Sequence, residues 1–264
     1  MEAVVEGAKL YYTDSGGAGL PVVFIHGFPF SGAMWQPQVE ALSKAGHRAI
    51  AYDVRGHGRS DVGDGLYTMD LFAEDLLGLL DELSLSSAVF CGLSMGGYIA
   101  LRAAEKAPGR VKALVLADTR SEPDANAAKH LRAAAMKTIL RLGTAAFAED
   151  FVKNLFSPMT LAAARPCVDL IKGLMKTNPP LGMRGALLAL AARPDAAAFL
   201  PSIKVPVLIL VGEHDALTPP ALSESMRRAI PGARLQVIEG AGHLSSLENP
   251  EVFNAHLLAF LKDL

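Results

Sequence analysis

The segment Gly92-Leu93-Ser94-Met95-Gly96 places a serine between glycines, where an apolar run ends and a helical pattern begins. A serine at a strand-to-helix turn is held in a strained backbone conformation, and small flanking residues leave room for the chain to pass. A serine hydroxyl is a weak nucleophile at neutral pH, so it requires a base, and the base requires an orienting acid. The segment predicts a nucleophile if the chain supplies both groups.

Both groups follow apolar runs near the end of the chain. His243 lies in the Gly-rich stretch GAGHLSSLENP, and Asp215 lies in VGEHDALTP, just after the preceding run. The carboxyl ends of parallel strands form one edge of a sheet, where the sites of such folds lie. The sequence therefore predicts that Ser94, His243 and Asp215 meet in a serine hydrolase triad.

The elements that must position these residues alternate along the chain. Near the N-terminus, VVEGAKLYYTD indicates a hairpin around Glu6-Gly7. One helix is indicated after a Thr68 cap, and another after an Asn249 cap, with Pro250 as its first residue. Six further strands are predicted: PVVFIHG, HRAIAYDVRGHG, SSAVFCG, RVKALVLA, KVPVLILVG and ARLQVIEG. This alternation predicts an α/β fold, a mostly parallel sheet with helices on both faces.

The alternation stops after Asp118. Residues 119–200 are rich in Ala, Leu and Met in helical patterns, and they carry 11 basic and 6 acidic residues, a net charge of +5 in a chain whose total is −2. We predict a helical cap over 119–200, inserted into a core formed by 1–118 and 201–264.

Composition excludes several classes of protein. With 51% hydrophobic and 20% charged residues the chain is typical of globular proteins. No apolar run reaches the roughly 18 to 20 residues of a membrane span, and the N-terminus resembles no signal peptide, so we expect a cytoplasmic protein without a membrane partner. The net charge argues against nucleic acid as a partner. The chain has only two cysteines, and its His and carboxylate residues are not spaced like metal ligands, so we expect no metal and no other cofactor. Nothing in the sequence indicates an oligomeric state.

Five motifs together resemble the α/β-hydrolase family over nearly the whole chain: HGFP at 26–29, DVRGHGRS at 53–60, GLSMGG at 92–97, GEHDALTP and GAGH. The resemblance implies that Ser94 is the nucleophile, His243 the general base and acid, and Asp215 the group that orients the imidazole. It also implies an oxyanion hole formed by the backbone N–H groups of Phe28 and Met95. Asp118 is a rival for the acid, since some family members take it from the corresponding strand end.

The family contains many activities, and the fold alone does not choose among them. Dehalogenases and epoxide hydrolases of this fold use aspartate where this chain has Ser94, which excludes them. We therefore predict a carboxylic ester or lactone hydrolase acting on a small molecule. GLSMGGYIA, LVLADT and GMRGALLALAARPD resemble 3-oxoadipate enol-lactonases, whereas HGFPFSGAMW resembles small esterases and cofactor-free perhydrolases or haloperoxidases. A catalytically silent ligand-binding protein is the alternative outside enzymes.

The substrate pocket is harder to predict. Met136 and Met159 are candidates for an apolar roof, and Arg120 and Arg184 for binding a carboxylate-bearing substrate. Trp35, the only tryptophan, is a candidate for the pocket wall, although packing behind the oxyanion loop is the stronger interpretation. His26 and His57 are expected to fix loops through hydrogen bonds.

Overall fold

The computed structural model describes all 264 residues, Met1–Leu264, and its centre is one eight-stranded sheet. The strands are β1 (Glu2–Val5), β2 (Ala8–Asp14), β3 (Pro21–Ile25), β4 (Arg48–Tyr52), β5 (Ala88–Leu93), β6 (Val111–Ala117), β7 (Val207–Gly212) and β8 (Arg234–Ile238). They are ordered β1-β2-β4-β3-β5-β6-β7-β8. Each predicted strand is present, so the predicted sheet is confirmed.

The sheet is parallel except at one side. β1 pairs antiparallel with β2, and β2 pairs antiparallel with β4, whereas all other neighbours are parallel. The β1–β2 turn has Glu6 at φ 48° and Gly7 at φ 75°, which matches the two-residue turns that join twisted hairpin strands. The hairpin predicted around these two residues is therefore confirmed.

Helices cover both faces of the sheet. They are α1 (Gln36–Lys44), α2 (Met69–Glu82), α3 (Met95–Lys106), α4 (Asn126–Phe151), α5 (Pro158–Ala162), α6 (Pro166–Thr177), α7 (Pro180–Ala191), α8 (Pro220–Ala229), α9 (Ser245–Glu248) and α10 (Pro250–Lys262). Alternate residues of the central strands enter two separate cores, since Ile25 belongs to the core that includes α2, α3 and α8, while Phe24 belongs to the core that includes α1 and α10. None of the helices combines the length and the apolarity that crossing a membrane requires.

The predicted helix starts agree with the structure. The Thr68 hydroxyl accepts a 3.0 Å hydrogen bond from the Leu71 N–H at the start of α2. At the start of α10, the Asn249 side chain accepts one from the Val252 N–H at 3.4 Å. Each cap satisfies an N–H group that has no acceptor within the helix.

Helices α4 to α7 lie between β6 and β7 in the chain, within the predicted insertion at 119–200. We call residues 119–200 the insert. Helix α4 packs against α6 and α7 and is broken at Gly143, whose φ of 83° and ψ of 173° are not helical. Helical structure thus occupies the insert, and its description as a separate cap stays a prediction.

Trp35 lies in the core and not in a pocket wall. Its side chain is fully buried, and its ring lies 5.0 Å from Phe24 and 6.1 Å from Phe253 between centroids. The candidate role of Trp35 in substrate contact is therefore corrected, because a ring enclosed by strand β3 and helix α10 has no free face.

We expect Trp35→Ala to lower the free energy of unfolding by about 3–5 kcal/mol, because the substitution empties a large volume in a core that cannot collapse fully. Urea denaturation followed by far-UV circular dichroism measures this change. The matched control is Leu66→Ala, at a side chain that is 69% exposed, where we expect a change within about 0.5 kcal/mol. Equal effects of the two substitutions would contradict the packing role of Trp35.

Candidate active site

Ser94 occupies a strained turn between β5 and α3. Its φ of 53° and ψ of −112° are rare for a residue with a side chain. The turn is also tightly enclosed, since a Cβ atom on Gly92 would lie 2.2 Å from the Gly96 carbonyl oxygen, and one on Gly96 would lie 2.1 Å from the Ile25 carbonyl oxygen. Only glycine fits at either position, so the flanking glycines of the sequence pattern are explained by space.

His243 and Asp215 form a direct hydrogen-bonded pair. The His243 Nδ1 atom lies 2.9 Å and 3.0 Å from the two carboxylate oxygens of Asp215, and both residues are buried. The Thr218 hydroxyl donates to Asp215 Oδ2 at 2.6 Å, and the backbone N–H groups of Leu217 and Thr218 donate to Oδ1. Three hydrogen bonds therefore fix the orientation of the carboxylate, in addition to its contact with the imidazole.

The pKa values of this pair move in opposite directions. Burial alone would raise the pKa of Asp215, but the positive charge of protonated His243 and the hydrogen bonds from His243 and Thr218 lower the pKa below its ordinary value. For His243, burial would lower the pKa, but the charge and hydrogen bond of Asp215, together with Asp118 and Glu248, raise the pKa above its ordinary value. An ionised Asp215 thus increases the basicity of the imidazole.

Asp118 is close in the fold but has other partners. It follows β6, and its side chain is fully buried. Its Oδ1 accepts the Gly212 N–H at 2.8 Å, and its Oδ2 accepts the Ser245 hydroxyl. Burial and the nearby negative charge of Asp215 raise the pKa of Asp118 well above its ordinary value. Asp118 makes no hydrogen bond to His243, so the geometry favours Asp215 over Asp118 as the orienting acid.

Phe28 and Met95 are the two residues whose backbone N–H groups are predicted to form the oxyanion hole. Phe28 lies in the turn that a hydrogen bond from the Phe30 N–H to the Gly27 carbonyl closes. Met95 is the first residue of α3, where a backbone N–H has no acceptor within the helix. His26 fixes the first of these loops, because its Nε2 accepts the Val54 N–H at 2.9 Å and burial lowers its pKa to about 4.

Ser94, His243 and Phe28 line one cavity of about 560 Å³. No hydrogen bond joins the Ser94 hydroxyl to His243, and such contacts are often long before a substrate binds. The insert supplies most of the apolar wall, through side chains of α4 and α7 that include Leu131, Ala135, Phe147, Phe151, Leu187 and Leu190. The cavity therefore places a serine and an imidazole beneath an apolar roof.

Two arginines bring positive charge to the same cavity. Arg120 and Arg132 both line it, and each donates to the buried carboxylate of Asp124, at 2.9 Å and 3.1 Å. Arg193 also donates to Asp124, at 2.6 Å, and to the Glu122 carbonyl. Three guanidinium groups share the Asp124 carboxylate, which leaves two positive charges on this cluster, and Asp150 adds one acidic side chain to the cavity lining.

This fold recurs in proteins of known family. The α/β-hydrolase fold family matches residues 21–250 of the chain. The chain belongs to the α/β-hydrolase family. A structure of a thermophilic esterase from Thermogutta terrifontis with malate bound shares 36% identity and a TM-score of 0.95, covering 100% of this chain and 98% of the other.

Relatives of this α/β-hydrolase differ in their named activities. The non-heme chloroperoxidase CPO-A1 of Kitasatospora aureofaciens is 32% identical over 97% of both chains. The 3-oxoadipate enol-lactonase 1 of Acinetobacter baylyi is 31% identical over 92% of this chain and 89% of its own. Family membership is therefore shown, whereas these relatives do not agree on one reaction.

Of the predicted pocket residues in this α/β-hydrolase, only Arg120 lines the cavity. Met159 is 62% exposed and Met136 packs against the core, and neither is among the cavity residues. Arg184 lies on α7, is not among the cavity residues and makes no ion pair. The prediction is corrected for these three residues. The direction in which a helical side chain points depends on its position along the helix, and amino-acid composition does not give that direction.

Arg132 and the two phenylalanines of α4, Phe147 and Phe151, were not predicted. The rings of Phe147 and Phe151 stack with 5.0 Å between their centroids, and each ring contacts Phe28 edge to face. The only sequence signal was the i, i+4 spacing of Phe147 and Phe151, which places both rings on one side of α4. No group of three or more His, Cys, Asp or Glu side chains is placed to share a metal ion.

We expect Asp215→Asn to reduce ester turnover by about 10⁴-fold, because an amide cannot hold the imidazole in the required tautomer and orientation. Asp118→Asn should retain most of the activity, since an amide oxygen still accepts the Gly212 N–H. Steady-state kinetics on a short p-nitrophenyl ester measures both variants. A large loss in Asp118→Asn with an active Asp215→Asn would reverse the assignment of the acid.

Proposed function

We propose that this chain is a serine hydrolase of carboxylic esters and lactones that works through Ser94, His243 and Asp215. The observation that carries the proposal is the buried His243–Asp215 pair at 2.9 Å, with the imidazole and a serine in a strained turn lining one cavity. A serine that shares a cavity with an imidazole, and an acid that is hydrogen-bonded to that imidazole, support acyl transfer.

The reaction proceeds in two halves. The Ser94 oxygen attacks the substrate carbonyl carbon while His243 takes the hydroxyl proton, and the resulting oxyanion is stabilised by the backbone N–H groups of Phe28 and Met95. The C–O bond to the leaving group then breaks, and His243 gives its proton to the leaving oxygen. Water, deprotonated by His243, attacks the acyl-enzyme, and the bond to the Ser94 oxygen then breaks as His243 returns that proton to it, which releases the acid and the free serine.

The arginines favour a narrower candidate, a substrate that carries a carboxylate. Arg120 and Arg132 line the cavity with the serine, and their guanidinium groups are hydrogen-bond donors that are always charged. A carboxylate is the group that matches such donors in charge and geometry. The resemblance to a relative named 3-oxoadipate enol-lactonase supports an anionic lactone as one such substrate.

Perhydrolysis is the second fate of the same acyl-enzyme. In that reaction hydrogen peroxide replaces water as the attacking group and a peracid is released. The relative named a non-heme chloroperoxidase makes this alternative worth testing. A catalytically silent binding protein is the alternative outside enzymes, and the intact His243–Asp215 pair argues against it.

We expect Ser94→Ala to abolish hydrolysis of p-nitrophenyl esters and labelling by a fluorophosphonate probe, because both reactions require the nucleophilic oxygen. A panel of esters and lactones of varied acyl length and charge, assayed with and without hydrogen peroxide, measures the activity. The control is Ser225→Ala, at an exposed serine on α8 whose hydroxyl donates to the Ala221 carbonyl. A wild-type protein that neither turns over the panel nor reacts with the probe would support the silent alternative.

We expect Arg132→Met to raise the KM for a carboxylate-bearing ester by about 10-fold, since a hydrogen bond to a charged group contributes about 1.5–3 kcal/mol. The KM for the matched neutral ester should not change. Asp124 keeps Arg120 and Arg193 as partners in this variant. Arg141→Met, an exposed arginine of α4 without an ion pair, serves as the control. Equal effects on the two esters would contradict the anionic preference.

A further inference from the structure

Glu248, the last residue of α9, has a buried carboxylate that is paired with no basic side chain. Only 3% of the residue is exposed, and its side chain forms no ion pair. Its Oε1 accepts the Gly242 N–H at 2.7 Å and its Oε2 accepts the Ser157 N–H at 2.8 Å. A charged group is costly to bury unless it receives strong hydrogen bonds, so these two contacts account for its place in the fold.

One of the two contacts holds the residue next to His243. Gly242 precedes His243, and a Cβ on Gly242 would lie 2.6 Å from the Ser157 nitrogen. On the other side, a Cβ on Gly212 would lie 1.9 Å from the Gly242 carbonyl oxygen. The backbone before His243 is therefore enclosed between the end of β7 and the insert, with Glu248 joining it to the insert.

The other contact reaches the stretch of the insert that forms part of the cavity wall. Phe151 and Asn154 line the cavity, and Ser157 follows three residues after Asn154. A second link joins the same regions, because the Arg165 guanidinium donates to the Glu248 carbonyl oxygen at 2.5 Å. Glu248 thus connects a wall of the cavity to the loop that carries the imidazole.

We propose that Glu248 is a positioning residue, which fixes the backbone at His243 and ties its location to the cavity wall in the insert. The inference rests on the proposed function, in which His243 is the base. A displacement of about 1 Å at a reacting group can reduce a rate by about 100-fold. Loss of Glu248 therefore lowers turnover without removing any group that touches the substrate.

Two substitutions separate the position of Glu248 from its charge. Glu248→Gln offers one acceptor for two N–H groups and removes the charge, whereas Glu248→Asp keeps the charge but shortens the reach. Burial lowers the pKa of His243, whereas the acidic groups of Asp215, Asp118 and Glu248 all raise that pKa. His243 must be neutral to act as a base, so the lower pKa in Glu248→Gln moves the acidic limb of kcat/KM to lower pH.

The experiment measures kcat per active site, titrated with a fluorophosphonate probe, and the pH profile of kcat/KM for a neutral p-nitrophenyl ester. We expect kcat to fall about 10- to 100-fold in Glu248→Gln and Glu248→Asp, and the acidic limb to move only in Glu248→Gln. Glu251→Gln, an exposed residue in the first turn of α10, is the matched control and should behave as wild type.

The outcomes distinguish the two proposals. A wild-type protein without ester turnover or labelling contradicts the proposed function, whereas an active wild type with unchanged kcat per titrated site in both Glu248 variants overturns the positioning role. If the Glu248 variants do not fold, Arg165→Gln tests the same link at an exposed side chain, with an expected loss in kcat of about threefold for one lost hydrogen bond. No loss in that variant then overturns the inference.

Discussion

The strained backbone of Ser94 is the constraint on which the rest of the site depends. A left-handed conformation at a residue with a side chain costs on the order of 1–3 kcal/mol and persists only when its surroundings enforce it. Here the Ser94 N–H donates to the Ala117 carbonyl at 2.9 Å, and the Thr119 hydroxyl donates to the Ser94 carbonyl at 2.8 Å. Ala117 ends β6 and Thr119 follows it by two residues, so the end of the neighbouring strand holds the turn in place.

The order of the strands explains why two carboxylates lie near one imidazole. Strands β5, β6, β7 and β8 are consecutive neighbours, and Ser94, Asp118, Asp215 and His243 follow them in that order. Two acids at adjacent strand ends compete for His243, and local hydrogen bonds decide between them. Asp118 is occupied by Ser245 and by the N–H of Gly212, whereas the Asp215 carboxylate reaches the imidazole directly. Because like charges are costly in a buried site, the acid with the imidazole keeps its charge.

The sheet and the polar residues at its edge could be predicted from the sequence, because each buried strand is an apolar run that ends at glycine or at a polar residue. Most of the residues that line the cavity could not be predicted from the sequence. The helices of the insert are apolar on several sides, so their sequence makes Met159 and Met136 as suitable for the cavity wall as Leu187 or Phe147. Only the way the helices pack in the fold shows which of these side chains line the cavity. Glu248 and Ser157 are joined across 91 positions, and such non-local hydrogen bonds leave no pattern in neighbouring residues.

The insert does more than roof the cavity, because it also holds loops on both sides of the serine. The buried Asn178 side chain, between α6 and α7, donates to the Pro29 carbonyl at 2.8 Å and accepts the Gly58 N–H at 2.6 Å, while Ser157 is joined to the His243 loop through Glu248. Moving the insert as a rigid body would break these buried hydrogen bonds, and each unpaired group would cost about 1–3 kcal/mol. Changes in the insert that alter the cavity wall are therefore also changes in the support of the loops beside Ser94, which couples substrate choice to the geometry of the reacting groups.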